Sequence, residues 1–257
     1  MIKFFRKIRQ KMLTENKFSK YLIYAIGEIA LVMIGILLAL QVNNWNENRK
    51  TQIEERDILQ RLQLDLRDDL KNLQFSIDFK KDIAESYGLC LEILSEETIA
   101  TKEEFMTHFS SILEIQQTNL NMTTFKNLQT TGQIRLIKSN EIADNIVSYY
   151  NSDYKNWESA LKDYTRNITA PYILQFDYLP QKTYTDNYGN NLKMTGQPKD
   201  FKKPEKTIDD YKNNYFIINT LRQKKYNIEA LIPRYKQLIN NALELDKTIQ
   251  EYLDTQQ

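Results

Sequence analysis

Cysteine and histidine are nearly missing from this 257-residue chain: Cys90 and His108 stand alone. One thiol cannot close an intrachain disulfide, so the stability of the body does not depend on oxidation. Any nucleophile–base couple would have to use His108, and Ser110 and Ser111 beside it occupy ordinary helix positions. Glu104 and His108, four apart, offer at most two metal ligands on one helix face, and a solvated surface explains them better. Cys90 reads as a small buried filler, with an intermolecular disulfide as the alternative. Glycine and proline are scarce, six and five, and there is neither a glycine-rich phosphate loop nor a CxxC pair. The net charge of +1 comes without a basic stripe in the body, which argues against nucleic-acid binding. No catalytic, cofactor or metal site is therefore expected, and the chain reads as a non-enzymatic protein.

The near-neutral total conceals an asymmetry. Residues 1–20 hold Lys3, Arg6, Lys7, Arg9, Lys11, Lys17 and Lys20 against Glu15 alone, a net of +6 that leaves −5 for the rest. Directly after comes YLIYAIGEIALVMIGILLALQV, residues 21–42. As a helix this run rises about 33 Å, enough to cross a bilayer core. It is longer than the apolar core of a signal peptide and its exit lacks a small-x-small cleavage site, so an uncleaved signal-anchor is expected. Tyr21, Tyr24 and Trp45 fall near its two ends, where amphipathic aromatics anchor the interface. The positive-inside rule places residues 1–20 in the cytoplasm and everything after Trp45 across the membrane. Met1, Phe5, Ile8 and Met12 recur at helical spacing opposite the basic residues. That suits either a helix lying on an anionic leaflet or a disordered basic leader.

One acid, Glu28, interrupts the apolar run, and an ionisable group inside a span is a functional candidate by default. Three readings compete. The carboxyl is neutral within a helix–helix contact made close by Gly27, Gly35 and Ala39; or it snorkels toward the headgroups; or it titrates in an energised complex, as in stator-type subunits of proton-driven motors. The last is an analogy of topology alone.

Specific sequence features surround this span: Met1-Ile2-Lys3-Phe4-Phe5-Arg6, Lys20-Tyr21-Leu22, Tyr24-Ala25-Ile26-Gly27-Glu28-Ile29, Ile34-Gly35-Ile36-Leu37, Ala39-Leu40-Gln41 and Asn43-Asn44-Trp45-Asn46. With a weaker echo in TTFKNLQTTGQIRLIKSNEIADNIVSYY, residues 123–150, the chain resembles an uncharacterised membrane-anchored family common in Bacteroidota. The resemblance implies a cell with an inner membrane and a periplasm. It implies location and architecture but not function, because the family carries no assigned activity.

Beyond the span the pattern is helical. Residues 43–170 open with Leu59, Leu62, Leu66, Leu70, Leu73 and Ile77 spaced three or four apart. No breaker occurs between Trp45 and Gly88, so the membrane helix is expected to continue outward as one rod. Thr101 and Glu104 form a capping box ahead of Phe105, Phe109, Ile112 and Leu113. A short helix is expected from about Thr124 to Gly132. Ser139 or Asn140 then caps a helix carrying Ile142, Ile146, Tyr150, Tyr154, Trp157, Leu161, Tyr164 and Ile168, which Pro171 should stop. The tyrosines from Tyr149 to Tyr164 read as core, with an aromatic ligand or partner surface as the alternative, and the acid pairs Asp68-Asp69 and Glu96-Glu97 as solvated surface. Residues 171–206 gather proline, glycine and tyrosine into an irregular excursion, with a hairpin expected around Asp186 to Asn191. Its Tyr172, Tyr178, Tyr184 and Tyr188 are candidates for partner binding. Thr207 and Asp210 open the last segment, residues 207–257, with Leu221, Ile228, Ile232, Tyr235, Ile239, Ala242, Leu245, Ile249 and Tyr252 on one stripe and a kink at Pro233.

The expected fold is thus all-α: one N-terminal transmembrane helix, then an extended antiparallel helical bundle with one irregular excursion. The expected role is an inner-membrane-anchored periplasmic scaffold or interaction protein. Its partners would be the bilayer and either another protein, in the membrane or periplasm, or a second copy. The alternatives are a ligand-sensing domain acting through a membrane partner, or an accessory subunit of an energised envelope complex using Glu28.

Overall fold

The first proline of the chain is Pro171, and only three glycines precede residue 90; helix α1 accordingly runs unbroken over Phe18–Leu94. The structure, a computed structural model, describes residues 18–175, 183–185, 191–193 and 206–255. The chain divides into two units, Met1–Ile58 and Leu59–Gln257, and α1 contributes to both. Within the first unit the described side chains of residues 22–50 are exposed, apart from half-buried Ala25. An 18-residue window of mean hydropathy 2.3 has none of its residues buried. Apolar area on this scale is left open only where a membrane or partner covers it. The helix is long and apolar enough to cross a membrane.

In the second unit α1 turns inward Leu59, Leu62, Leu66, Leu73, Ile77, Ala84 and Tyr87, each leucine or isoleucine worth about 2 kcal/mol when fully removed from water. Helix α2 (Lys102–Phe109) opens with the expected Thr101–Glu104 capping box and passes into a 3₁₀ turn at Ser110–Leu113. Helix α3 (Thr123–Thr131) closes on Gly132, whose φ of +69° is the left-handed stop expected there. Ser139 then caps α4 (Asn140–Tyr150) by accepting the Ile142 N–H.

Two expectations fail between residues 140 and 173. The single tyrosine-bearing helix is two, α4 and α5 (Tyr154–Tyr164), broken at Asn151-Ser152-Asp153. All three are residue types that favour turns and helix ends over helix interiors; Asn156 Nδ2 donates to Asp153 Oδ1 at 2.5 Å. Nor does Pro171 stop the helix. A π-turn at Thr165–Thr169 leads into the short α6 (Ala170–Ile173), with Pro171 in its first turn. Proline lacks an N–H and crowds the carbonyl four residues back, and a widened turn relieves both. Ile168 is 48% exposed rather than core.

Strands β1 (Thr183–Thr185) and β2 (Asn191–Lys193) pair antiparallel, Thr183 opposite Lys193, which is the expected hairpin. Aside from this pair the regular structure among the described residues is all helical. The last segment is also divided: α7 (Ile208–Lys212), opened by a Thr207–Asp210 box, and α8 (Tyr215–Thr255), which passes through Pro233. Its core stripe sits partly one residue earlier or later than expected. Leu231, Leu238 and Leu253 are buried where Ile232, Ile239 and Tyr252 were expected, and these three are half-buried. Along the two long helices Gln63 Nε2 donates to Asp246 O at 3.3 Å. Lys80 Nζ lies 5.4 Å from the Tyr235 ring, and Lys224 Nζ 5.7 Å from that of Tyr87.

Candidate functional site: a clamped strap

Nine residues, 114–122, link the 3₁₀ turn to α3 without regular structure. Their side chains alternate: Gln117 and Asn119 exposed, Thr118 and Leu120 buried, the period of an extended chain. Among the described residues, 115–121 make no backbone–backbone hydrogen bond. A buried backbone must find partners elsewhere, and here buried side chains supply them.

From α1, Lys80 Nζ donates to Gln116 O at 3.1 Å and to Gln116 Oε1 at 2.9 Å. Asp69 Oδ1 accepts the Asn121 N–H at 2.5 Å, and Asp65 Oδ2 accepts that of Thr124 at 3.0 Å. From α5, Glu158 Oε1 accepts the Thr118 N–H at 2.9 Å and also the hydroxyl of Tyr235 from α8. Just upstream, the Tyr87 hydroxyl donates to Ser111 O at 2.9 Å and Lys224 Nζ to Ile112 O. Hydrogen bonds to charged groups are the strong kind, and these fasten one strap to three helices.

Burial sets the electrostatics. Asp69, with no exposed surface, has its carboxyl pushed up to about 7 by desolvation, aided by the charges of Asp65 and Asp68 and opposed by Asn121 and Tyr149. Desolvation likewise pulls the Lys224 amine down to about 7, with Glu114 opposing. The Lys80 amine is lowered by burial and partly restored by Glu158. Tyr87, Tyr149, Tyr154 and Tyr235 are all raised by burial, so they remain neutral donors. A cavity of about 30 Å³, the size of one water, lies where Lys80, Gln116, Glu158 and Thr165 meet the apolar side chains of Ile83, Leu161, Ile228 and Leu231. The arrangement holds a backbone; among the described residues no group of three or more His, Cys, Asp or Glu is placed to hold a metal ion.

Asp69 corrects the sequence reading. Of the pair taken as solvated, Asp68 is exposed but Asp69 is fully buried. The available signal was register: Asp65, Asp69 and Lys80 fall on the helical face of Leu62, Leu66, Leu73 and Ile77. The sequence-derived candidates lie elsewhere. Gly27, Glu28, Gly35 and Ala39 are exposed on α1, and a Cβ on Gly27 or Gly35 would meet nothing within 4 Å. Trp45 is exposed as well. Tyr172 is half-buried against Phe216, ring centroids 3.9 Å apart, and its hydroxyl accepts from Asn214 Nδ2 at 2.7 Å, a packing role. Tyr178 and Tyr188 lie outside the described residues, as do the side chains of Tyr21, Tyr24 and Tyr184. Cys90 is buried, its thiol pushed up to about 12 by desolvation.

Residues 28–148 match a family of unknown function (DUF6090), a region covering most of α1 and the whole strap. Over 213 residues the chain is 22% identical to a putative polyprotein CP of cassava vein mosaic virus, covering 82% of this chain and 14% of that protein. The chain therefore spans only a small part of that relative. No solved structure matches.

Proposed function

We propose that this chain is a non-enzymatic, single-pass inner-membrane protein whose helical body scaffolds or binds another component of the envelope. The observation that carries the reading is the uncovered apolar surface of residues 22–42 on α1, preceded by the +6 head. The head lies in the cytoplasm and the body in the periplasm. The body is an extended antiparallel bundle: positions 63, 80 and 87 of α1 meet 246, 235 and 224 of α8, one series rising as the other falls. Buried Asp65, Asp69, Lys80, Glu158 and Lys224 all hold backbone in or beside the strap, which suits a rigid platform better than a reaction centre. Partner contacts fall to the tyrosine-bearing excursion of residues 171–206 and to the span itself.

Reporter fusions after Lys20 and after Gln257 test the topology, with opposite compartments expected; a cytoplasmic C-terminus sinks it. Pull-downs with and without residues 172–206 test partner binding, which should be lost with the excursion. A second reading, ligand sensing through a membrane partner, is favoured by the recesses beside the strap. Stabilisation of the body by a small molecule in a thermal-shift screen would favour it.

A further inference from the structure

The strap's outer side borders a recess of about 220 Å³, formed by Asn72, Phe75 and Ser76 of α1 and residues 116–119. No charged residue lines it, although α1 carries Asp68, Lys71, Asp78 and Lys81 on either side. Phe75 is 65% exposed, and its ring stacks on that of Phe79 with centroids 6.3 Å apart. The floor is fixed: Thr118 Oγ1 donates to Ser76 Oγ at 2.8 Å, Gln116 Nε2 to the same oxygen at 3.1 Å, and Lys80 holds Gln116 from behind. The amides of Asn72, Gln117 and Asn119 are exposed around the rim.

Each rim amide presents a donor and an acceptor side by side, and so does each hydroxyl of a sugar. An exposed aromatic face offers a flat apolar surface to the C–H side of a pyranose ring. An ionic ligand would find no counter-charge here, and an aliphatic one would strand the amides without partners. We infer that this recess binds an uncharged saccharide, with one ring stacked on Phe75 and its hydroxyls bonded by Asn72, Gln117 and Asn119. The inference goes beyond the scaffold reading and does not rest on it. The clamps behind the strap give the site the rigidity that recognition needs.

The test is saturation-transfer NMR on the full chain in a micelle without glycosidic detergent. Cellobiose, maltose and N,N′-diacetylchitobiose serve as probes. At least one should receive saturation at its ring C–H protons. Phe75→Ala should weaken binding roughly tenfold, about the loss of one aromatic contact, and Asn119→Ala should weaken it too. Leu243→Ala, on a remote surface, should not. Phe75 and Asn119 are exposed, so both variants should keep the helical circular-dichroism spectrum; should one unfold, Asn72→Ala replaces it. Absence of transfer to all three sugars overturns the proposal, as does transfer indifferent to Phe75 and Asn119. Binding of an extended Thr/Ala peptide that depends on Phe75, with no sugar bound, overturns it in favour of peptide docking on the strap.

Discussion

Asp69 and Lys224 make stability depend on pH in opposite senses. Asp69 titrates near 7 in the fold against 3.8 ordinarily, so its contribution is complete below pH 4 and is lost as pH rises through 7. Lys224 titrates near 7 against 10.5, so its contribution is complete above pH 10.5 and is lost as pH falls toward 7. The two together produce a stability minimum near neutrality. Tm of the body should fall from pH 5 to 7 and rise again toward pH 9; Asp69→Asn should flatten the acid limb alone. Glu158 offers a sharper comparison, because one carboxylate oxygen receives both the Thr118 N–H and the Tyr235 hydroxyl. Glu158→Gln keeps an acceptor and should cost about 1 kcal/mol, whereas Glu158→Ala strands two buried donors and should cost about 3. Denaturant titration reads both; equal losses would mean that Glu158 acts only by filling space. Glu28 belongs to the proposed membrane contact with Gly27, Gly35 and Ala39. In a transmembrane two-hybrid assay on residues 1–50, Glu28→Gln should preserve association. Glu28→Ala should weaken it by about 1 kcal/mol, and equal signals for wild type and Ala would favour snorkelling.

At the scale of the element, helix ends were the most legible part of the sequence. Thr101 with Glu104, Thr207 with Asp210, Ser139 and Gly132 act through neighbours three residues away or through their own backbone, so local spacing suffices to find them. Ser139→Ala should cost about 1 kcal/mol. Gly132→Ala should cost a similar amount; a Cβ there meets nothing within 4 Å, so that loss comes from the +69° φ alone. Helix α3 shows the limit. Its N-cap residue, Met122, makes no side-chain cap; the Thr124 N–H goes instead to Asp65 of α1, 59 positions away. Asp65→Ala should therefore speed hydrogen exchange in the first turn of α3, and an unchanged rate there would refute the role. The break at residues 151–153 was within reach of the sequence, since three cap-forming residues stand in a row, but the regular tyrosine spacing on either side masked it.

Across the whole molecule, helical content and the apolar span follow from composition and period. Residues 48–257 alone should give a helix-dominated circular-dichroism spectrum, and a spectrum of sheet or coil would count against the bundle. The buried polar set was not legible in the same way. A charged residue in register with an apolar stripe looks the same whether it ends in water or on a backbone amide, and only the neighbour decides.

By itself the sequence determined what short range and composition can determine. The absence of proline before residue 171 allowed one long helix, the apolar run of residues 21–42 made part of it long and apolar enough to cross a membrane, and capping pairs set where helices begin. Tertiary structure alone decided that residues 114–122 cross the body as an extended strap. Only when α1, α5 and α8 come together do Asp69, Lys80, Glu158 and Tyr235 reach that strap or one another. Their burial, and hence the displaced titration of Asp69 and Lys80, is a property of that packing and of no single stretch of chain.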